Sequence, residues 1–222
     1  MAPPASPILP GPPDPPDLPD KLLTLATRGT AELRVQRSRF LAWAAPAADQ
    51  EQARAVIAEA ARQHHDARHV CWAWRLGHLR QPRENRNDAG EPSGTAGEPI
   101  LAALRRADLV DCVGVVVRWF GGVKLGTGGL ARAYGDAMEA ALAAAARREI
   151  LLGRRFTLRF PYPLQKTLLR QLETRGGRVI DERWAVDVAW TVWLPHSRAA
   201  GFPAAVVEAT GGAVTPAALP DA

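Results

Sequence analysis

The alternation of apolar and polar residues divides this chain into strand-like and helix-like segments. Three short runs with a period near two predict strands at residues 24–28, 31–35 and 38–45. Asp49 is followed three residues later by Gln52, which is capping-box spacing, and predicts a helix that ends near His64. The sequence VDCVGVVVRWF at residues 110–120 is almost continuously apolar and therefore predicts a central strand covered on at least one face.

Weaker patterns connect these elements. Residues 70–75 alternate as a strand, and the polar residues 76–94 after them predict a long loop, which in a compact domain is usually functional or mobile. A helix begins near Pro99, with two possible starts: a capping box of Thr95 and Glu98, or proline at the first helical position. An alanine-rich helix is predicted from about Gly128 to residue 147.

The end of the chain has a different element order. RREILLGRR at residues 147–155 is charged and contains glycine, so it predicts a link between two folded parts. Strands are then predicted at 155–160, 177–184, 186–194 and 213–217, and helices at 163–174 and about 197–209. This βαββαβ order is ferredoxin-like. The prediction is an α+β protein with domains at residues 21–150 and 151–222.

Residues 1–20 are different in composition. They hold nine of the nineteen prolines, which predicts a disordered or polyproline tail, passive or docked in an aromatic groove of a partner. This segment lacks the positive and apolar regions of a signal peptide, and no apolar run reaches the ~20 residues of a membrane span. Cys71 and Cys112 are then expected to be free buried thiols in a cytoplasmic protein.

Charge favours a polyanionic partner for both folded parts. The net charge is +5, which divides into −3 for residues 1–20, +5 for residues 21–150 and +3 for residues 151–222. Only three of the cations are lysines, and alanine is abundant, so a GC-rich genome is a second explanation for the arginine content.

NDAGEPSGTAGEPIL at residues 87–101 is the first candidate site. Its glycines permit backbone conformations closed to other residues, and it leads into a helix N-terminus, where free N–H groups favour an anion. A structural loop that only starts a helix explains the same pattern. The candidate residues of this loop, with a histidine before it, are His69, Asp88, Glu91, Ser93, Gly94, Thr95 and Gly97.

RWFGGVKLGTGGLARAY at residues 118–134 is the second candidate. Here a basic residue ends a strand, a glycine-rich turn carries a lysine, and a helix follows, which suits a phosphate-binding site; a tight strand-to-helix connection is the structural alternative. The sequence has neither the Walker spacing nor an acidic residue placed as in dinucleotide-binding folds. The predicted anion-binding or nucleic-acid-binding residues are Arg118, Gly121, Gly122, Lys124, Gly126, Gly128, Gly129 and Arg132.

Catalytic and metal chemistry have less support. His64, His65, His69 and Cys71 do not have the spacing of a known zinc site. Asp88 and Glu91 are a possible acid and base pair, but Ser93 lacks a nucleophile-elbow pattern, and turn or cap chemistry explains both carboxylates. We therefore assign no catalytic residue, no metal and no cofactor.

Four segments in this order closely resemble the YigZ/IMPACT family: SRF (38–40), DARHVCWAW (66–74), NDAGEPSGTAGEPIL (87–101) and VVVRWFGGVKLGTGGLARAYGDA (115–137). The resemblance covers residues 21–150 and implies a fold like the second domain of a small-subunit ribosomal protein, with a βαβ-type sheet and helices. Residues 151–222 resemble, more weakly, the ferredoxin-like domain of bacterial members, itself similar to a domain of elongation factor G. The family's acidic pair before GEP is Asp88–Ala89 here, so a mechanism that needs two adjacent carboxylates does not transfer.

The resemblance also implies kinship with translation folds. The eukaryotic relatives regulate translation by competing for an activator of a stress-response kinase, but they carry an additional N-terminal domain that this chain lacks, so that pathway does not transfer. The leading hypothesis is a non-enzymatic module that binds RNA or the ribosome through the basic, glycine-rich surface of the first domain. One alternative is an enzyme or sensor that binds a phosphorylated small molecule in the same loops, and another is a protein–protein adaptor. No membrane partner is expected, and the sequence does not determine the oligomeric state.

Overall fold

The computed structural model describes residues 19–77 and 82–220. Contacts divide the chain into two compact units: an N-terminal unit of residues 22–150, and a C-terminal unit of residues 151–220 together with residues 19–21. The proline-rich tail lies outside the described residues up to position 18. No helix in the described ranges combines the length and the apolar character that crossing a bilayer requires.

In its described residues, 22–77 and 82–150, the N-terminal unit contains two sheets and three helices. Its strands are β1 (Lys21–Leu25), β2 (Gly29–Val35), β3 (Ser38–Pro46), β4 (His69–Leu76), β5 (Arg83–Asn87), β6 (Cys112–Trp119) and β7 (Arg147–Leu151). Its helices are α1 (Gln50–Gln63), α2 (Gly97–Arg106) and α3 (Gly126–Ala144). The main sheet has the order β2-β3-β6-β4-β5 with antiparallel neighbours, and β1 pairs with β7. Because β3 and β4 both flank β6, they are parallel to each other and form a split βαβ unit through α1.

Strand β6 is central, as its apolar sequence predicts, and it is buried on both faces. Val113, Val115 and Val117 pack in the core beneath α1, whereas Val116 and its neighbours of the same parity pack beneath α2 and α3. Gly114 lies where a Cβ would meet the Met138 side chain at 2.8 Å, so glycine lets α3 pack close to the sheet.

The predicted capping residue is confirmed for helix α1, but both predicted starts of helix α2 are wrong. Asp49 caps α1 by accepting a 2.8 Å hydrogen bond from the Gln52 amide, as predicted. Helix α2 begins at Gly97 rather than near Pro99, and Thr95 does not cap it, because the Thr95 hydroxyl donates to the Pro92 carbonyl instead. Helix α3 begins at Gly126, two residues before the predicted start.

Two predicted connections are ordered strands. The region assigned to a long loop at 76–94 contains β5, which pairs with β4 at the edge of the sheet. The segment assigned to an inter-domain link contains β7, which pairs with β1, and β8 (Gly153–Phe160) then follows. Strand pairing, of β5 with the preceding strand β4 and of β7 with the distant strand β1, provides hydrogen-bond partners for the backbone of these segments. Their polar side chains hide this pairing in the sequence.

The C-terminal unit has the predicted α+β organisation. Its further elements are a 3₁₀ turn (Tyr162–Leu164), α4 (Gln165–Glu173), β9 (Arg178–Trp184), β10 (Val188–Pro195), α5 (His196–Ala199), α6 (Phe202–Ala209) and β11 (Ala217–Ala218). The predicted single helix near 197–209 is therefore two helices. The strand order in its sheet is β11-β8-β10-β9. When the four strands of this unit are numbered along the chain, the order is 4-1-3-2, which is that of a ferredoxin-like sheet.

Candidate functional site

The loop between β5 and α2 is organised by one carboxylate. Asp88 accepts hydrogen bonds from the backbone N–H groups of Gly94 (2.9 Å), Ala96 (2.9 Å) and Gly97 (2.8 Å). Burial by itself raises the pKa of Asp88, but these three hydrogen bonds outweigh it, so the pKa lies below the ordinary aspartate value. Asp88 is therefore a charged cap of α2 with its oxygens engaged, rather than a base free to accept a proton.

The remaining residues of this loop shape its path. Gly90 and Gly94 have φ angles of 85° and 75°, which other residues rarely adopt. Ser93 is exposed, and the Glu91 amide donates to the Asp88 carbonyl at 2.9 Å. The loop encloses a shallow polar depression, and no side chain along it is placed as a nucleophile beside a base.

Beneath this loop lies a buried polar cluster that joins both candidate motifs. Oε1 of Glu91 accepts from Nη1 of Arg118 at 2.6 Å and from the Tyr134 hydroxyl at 2.8 Å. The side chains of Glu91 and Arg118 are only 4% and 5% exposed. His69 lies at the edge of the cluster, with Nε2 3.9 Å from Oε1 of Glu91 and Nδ1 2.9 Å from the Ala89 carbonyl.

Strand register brings these side chains together. His69 of β4 and Phe40 of β3 lie directly opposite Arg118 of β6 on its two sides. The side chain of Tyr134, on α3, packs edge-on against Phe40 of the sheet, with ring centroids 5.2 Å apart. Ser38 adds an acceptor, because its Oγ receives hydrogen bonds from Nη2 of Arg118 at 3.3 Å and from the Gly121 amide at 3.4 Å.

Burial keeps the proton donors of this cluster protonated. Burial raises the pKa of the Cys71 thiol to about 12, and the nearby carboxylates Glu91 and Asp88 add to the effect, although a hydrogen bond with Tyr134 opposes it. Burial also raises the pKa of Tyr134 well above its ordinary value. Cys71 is therefore a poor nucleophile, since the thiolate is the reactive form.

The placement of Arg118 corrects the sequence-based anion site. Arg118 is 4% exposed and forms an ion pair with Glu91, the structural alternative to phosphate binding. The sequence already indicated that Arg118 is buried. Alternate residues of a strand share a face, so Arg118 lies on the same face of β6 as Cys112 and Val116, which point into the core beneath α2 and α3. The cluster partners Ser38, Phe40, Cys71 and Tyr134 were missed as site residues. All four lie in segments that resemble the family, which is the signal in the sequence that could have identified them.

The exposed members of the second motif, together with Arg37 of the β2–β3 turn, form what we call the glycine-turn surface. It comprises Arg37, Phe120, Lys124, Arg132 and the first turn of α3, which contains Gly126, Gly128 and Gly129. Gly122 and Gly126 have φ angles of 86° and 70°, and Gly121 packs directly on the backbone of Arg37. The hairpin turn between β2 and β3 thus lies against the turn before α3.

The start of α3 has no competing negative charge. No side chain caps it, its first turn contains no acidic residue, and within the described ranges neither Lys124 nor Arg132 forms an ion pair. An α-helix leaves its first four N–H groups without intrahelical partners, and the helix dipole makes this end positive. The glycine-turn surface is accordingly suited to an anion.

His64, one of the residues considered above for a metal site, has a packing role instead. His64 packs edge-on against the rings of Trp43 and Trp119, with centroids 5.6 and 5.4 Å away. Trp119 is half-buried, and the Arg39 guanidinium lies 4.4 Å over its ring. In the described part of the chain, no three histidine, cysteine or acidic side chains are grouped as metal ligands. The exposed aromatic residue next to the glycine turn is Phe120, at 48% exposure.

Comparison with known proteins places these features in a family. A family model described as the Impact N-terminal domain matches residues 36–142, which include the buried polar cluster and the glycine-turn surface. An Escherichia coli protein named IMPACT family member YigZ is 33% identical over 184 residues, covering 81% of this chain and 89% of that protein. A Thermus thermophilus protein named as an IMPACT family member is 46% identical over 129 residues, covering 58% of this chain and 68% of that protein.

One solved structure is similar along nearly the whole chain. It is described as a hypothetical protein, and it matches with a TM-score of 0.62 and 31% identity over 92% of this chain and 100% of that one. A Bacillus subtilis protein named IMPACT family member YvyE is 40% identical over 122 residues, covering 54% of each chain.

Proposed function

This chain belongs to the IMPACT family, and on that premise we propose that it is a translation-associated regulatory protein that binds RNA, free or within the ribosome, through the glycine-turn surface. The observation that carries the proposal is the uncapped N-terminus of the 19-residue helix α3, flanked by exposed Lys124 and Arg132. Helix N-termini and lysine or arginine side chains are the groups that hold phosphates in nucleic-acid complexes.

The neighbouring side chains extend this surface beyond a single phosphate. Arg37 adds a third exposed cation on the adjoining hairpin. Phe120 adds a ring that is 48% exposed although the Arg118 guanidinium lies 5.5 Å from its centroid, so the exposed part of the ring is available for base stacking. A cationic surface with an aromatic ring suits an unpaired strand better than a duplex, whose bases are already stacked.

The buried polar cluster supports this surface from beneath. Arg118 and the Gly121 amide both donate to Ser38, so the strand end, the glycine turn and the β2–β3 hairpin are held in one arrangement. The role that we assign to Arg118 is therefore to position the turn, and not to bind phosphate.

Binding of the Lys124→Ala/Arg132→Ala variant to a single-stranded RNA and to ribosomes tests the proposal. We expect the dissociation constant to rise about tenfold and the dependence of log K on log salt to flatten by about 1.4, since each lost phosphate contact on a single strand removes about 0.7. Fluorescence anisotropy at several salt concentrations and co-sedimentation with ribosomes provide the measurements.

Arg54→Ala/Arg62→Ala is the matched control, because it removes the same charge from exposed positions of α1, on the opposite face of the sheet. Both variants should melt near the wild-type temperature. If both variants weakened binding equally, the loss would be due to the change in net charge and not to a specific site. Unchanged affinity of the Lys124→Ala/Arg132→Ala variant would contradict the proposal.

A further inference from the structure

The four-stranded sheet of the C-terminal unit has helices on only one face within that unit. Leu168 and Leu172 of α4 and Phe202 and Val206 of α6 pack on the even-numbered residues of β8 and β10, such as Leu158. The odd-numbered residues of these two strands point to the other side. We call this other side the arginine face, after the residues it carries.

The pairing register arranges the arginine face in three rows across β8, β10 and β9. The first row is Arg155, Trp193 and Arg178, the second is Thr157, Thr191 and Asp181, and the third is Arg159, Ala189 and Arg183. Arginines therefore stand at both ends of the outer rows, and small or hydroxyl-bearing residues occupy most of the centre.

The distances between the arginines indicate what size of ligand could contact them together. Arginines in the same row are two strand spacings apart, about 10 Å, and the outer rows are separated by four residues of β10, about 13 Å. Four cations spread over such a rectangle do not converge on one phosphate. They are spaced for a chain of phosphates instead.

Two of the arginines are well exposed and keep donors for a ligand. Arg159 and Arg183 have side chains 77% and 85% exposed, and each is close to one carboxylate: Asp187 at 3.3 Å and Asp181 at 3.8 Å, in both cases through Nε. Their terminal nitrogens remain for bonds in the forked geometry that suits phosphate. Four arginines against two aspartates leave the face positive.

The floor of the face permits a close approach. A depression of about 490 Å³ is lined by three threonines, two alanines, two arginines and one carboxylate: Thr157, Thr191, Thr215, Ala189, Ala217, Arg159, Arg183 and Asp181. The carboxylate of Asp181 lies 3.8 Å from Nε of Arg183, so its charge is partly offset within the depression. Threonine hydroxyls bind phosphate and sugar oxygens in nucleic-acid complexes. Trp193 is already covered by the Arg178 guanidinium at 4.6 Å, so its ring is not a free stacking platform and the recognition expected here is of the backbone.

We propose that the arginine face is a second nucleic-acid contact, which binds the sugar–phosphate backbone of a single strand through Arg159, Arg183 and the threonines between them. It deepens the proposed function, and it rests on that function for the choice of RNA as the probe. An acidic protein segment would also meet positive charge, but the hydroxyl-lined floor favours a ligand that presents sugar and phosphate oxygens.

The test compares full-length Arg159→Ala/Arg183→Ala with wild type in binding a 20-nucleotide oligouridylate. We expect the affinity to fall about fivefold or more and the salt slope to flatten by about 1.4. The matched control is Lys166→Ala/Arg170→Ala, which removes equal charge from exposed positions of α4, the helix on the other face of this sheet. Its affinity should stay near wild type.

The outcomes separate this inference from the proposed function. If only Lys124→Ala/Arg132→Ala weakens binding, the arginine face is not a contact and the inference is overturned, whereas the proposed function stands. If only Arg159→Ala/Arg183→Ala weakens it, the inference stands and the glycine-turn surface is excluded. Competition by polyglutamate as effective as that by oligouridylate would assign the face to an acidic protein and overturn the inference.

Discussion

At the scale of residues, the ion pair between Glu91 and Arg118 determines which cations of the second motif are available. Both side chains are at least nine-tenths buried, so each charge depends on the other for compensation. The pair removes Arg118 from the surface and ties the loop that contains Glu91 to the central strand β6. Lys124 and Arg132, which lack such partners in the described residues, are left to meet solvent.

We predict that Glu91→Leu destabilises the protein by about 3–5 kcal/mol, because it leaves Arg118 buried without a counter-charge. The double variant Glu91→Leu/Arg118→Leu should be destabilised less than Glu91→Leu alone, since it removes both charges. Urea unfolding monitored by tryptophan fluorescence measures the free energies.

Glu139→Ala serves as the control, because Glu139 pairs with Arg106 on the surface, with both side chains more than half exposed. Such pairs contribute about 0–1 kcal/mol, so a small change is expected there. A Glu91→Leu variant as stable as Glu139→Ala would show that the buried pair does not hold the loop.

At the scale of elements, helix α2 depends on a cap that is distant in sequence. Asp88 is nine residues before Gly97, and yet its Oδ1 accepts from Gly97 and Ala96 while Oδ2 accepts from Gly94. The loop between β5 and α2 must fold back before Asp88 can cap the helix. The glycines that allow this path, Gly90 and Gly94, and the Asp88 carboxylate are therefore all required for the cap.

We predict that Asp88→Ala lowers the free energy of unfolding by about 1–2 kcal/mol at pH 7, the usual effect of losing a helix cap. The folded-state pKa of Asp88 is lowered, so its stabilisation is fully present above the unfolded-state value of about 3.9 and is lost as pH falls through the folded value. The difference between wild type and variant should therefore shrink below about pH 3.9, as thermal unfolding at pH 7, 4 and 3 would reveal.

Asp49→Ala is a useful comparison, because Asp49 caps α1 through the single amide of Gln52. A smaller loss is expected there than for Asp88, which accepts three amides. A stability difference for Asp88→Ala that grows as pH falls would contradict the charged-cap interpretation.

At the scale of the whole molecule, strand β7 ties the end of the first unit, at residue 150, to the first strand of that unit. Residues 147–151 belong to a sheet with β1, and Ala26 donates a 2.7 Å hydrogen bond to the Ala146 carbonyl. A fragment that ends before β7 removes the partner strand of β1. The first unit is thus closed by joining its first strand to its last.

We predict that a fragment of residues 21–151 unfolds in one cooperative transition, because residues 22–150 contain both apolar cores that cover the main sheet. A fragment of residues 21–145, which lacks β7, should melt at a lower temperature. Circular dichroism on heating provides the comparison, and a gradual, non-cooperative loss of signal in the longer fragment would contradict the prediction.

The sequence alone determined the elements whose patterns are local. Apolar character placed β6 at the centre, alternation placed β10 in a sheet, and Asp49 marked the start of α1. Such signals are sufficient because a strand or a cap is specified by residues a few positions apart. They gave the α+β class and the ferredoxin-like order of the second unit.

Only the tertiary structure decided which charges are free. Whether Arg118 binds a ligand or Glu91 depends on the folded chain, which brings two residues 27 positions apart into contact. Strand β5 forms as the antiparallel partner of the preceding strand β4, and β7 forms by pairing with the distant strand β1. The candidate site therefore loses Arg118 at the strand end and keeps the exposed turn with Lys124 and Arg132. The arginine face is visible only in the pairing register of three strands. Burial and strand pairing are properties of the folded chain. They explain why the arginine at position 118 is buried in an ion pair whereas the arginine at position 132 is exposed to solvent.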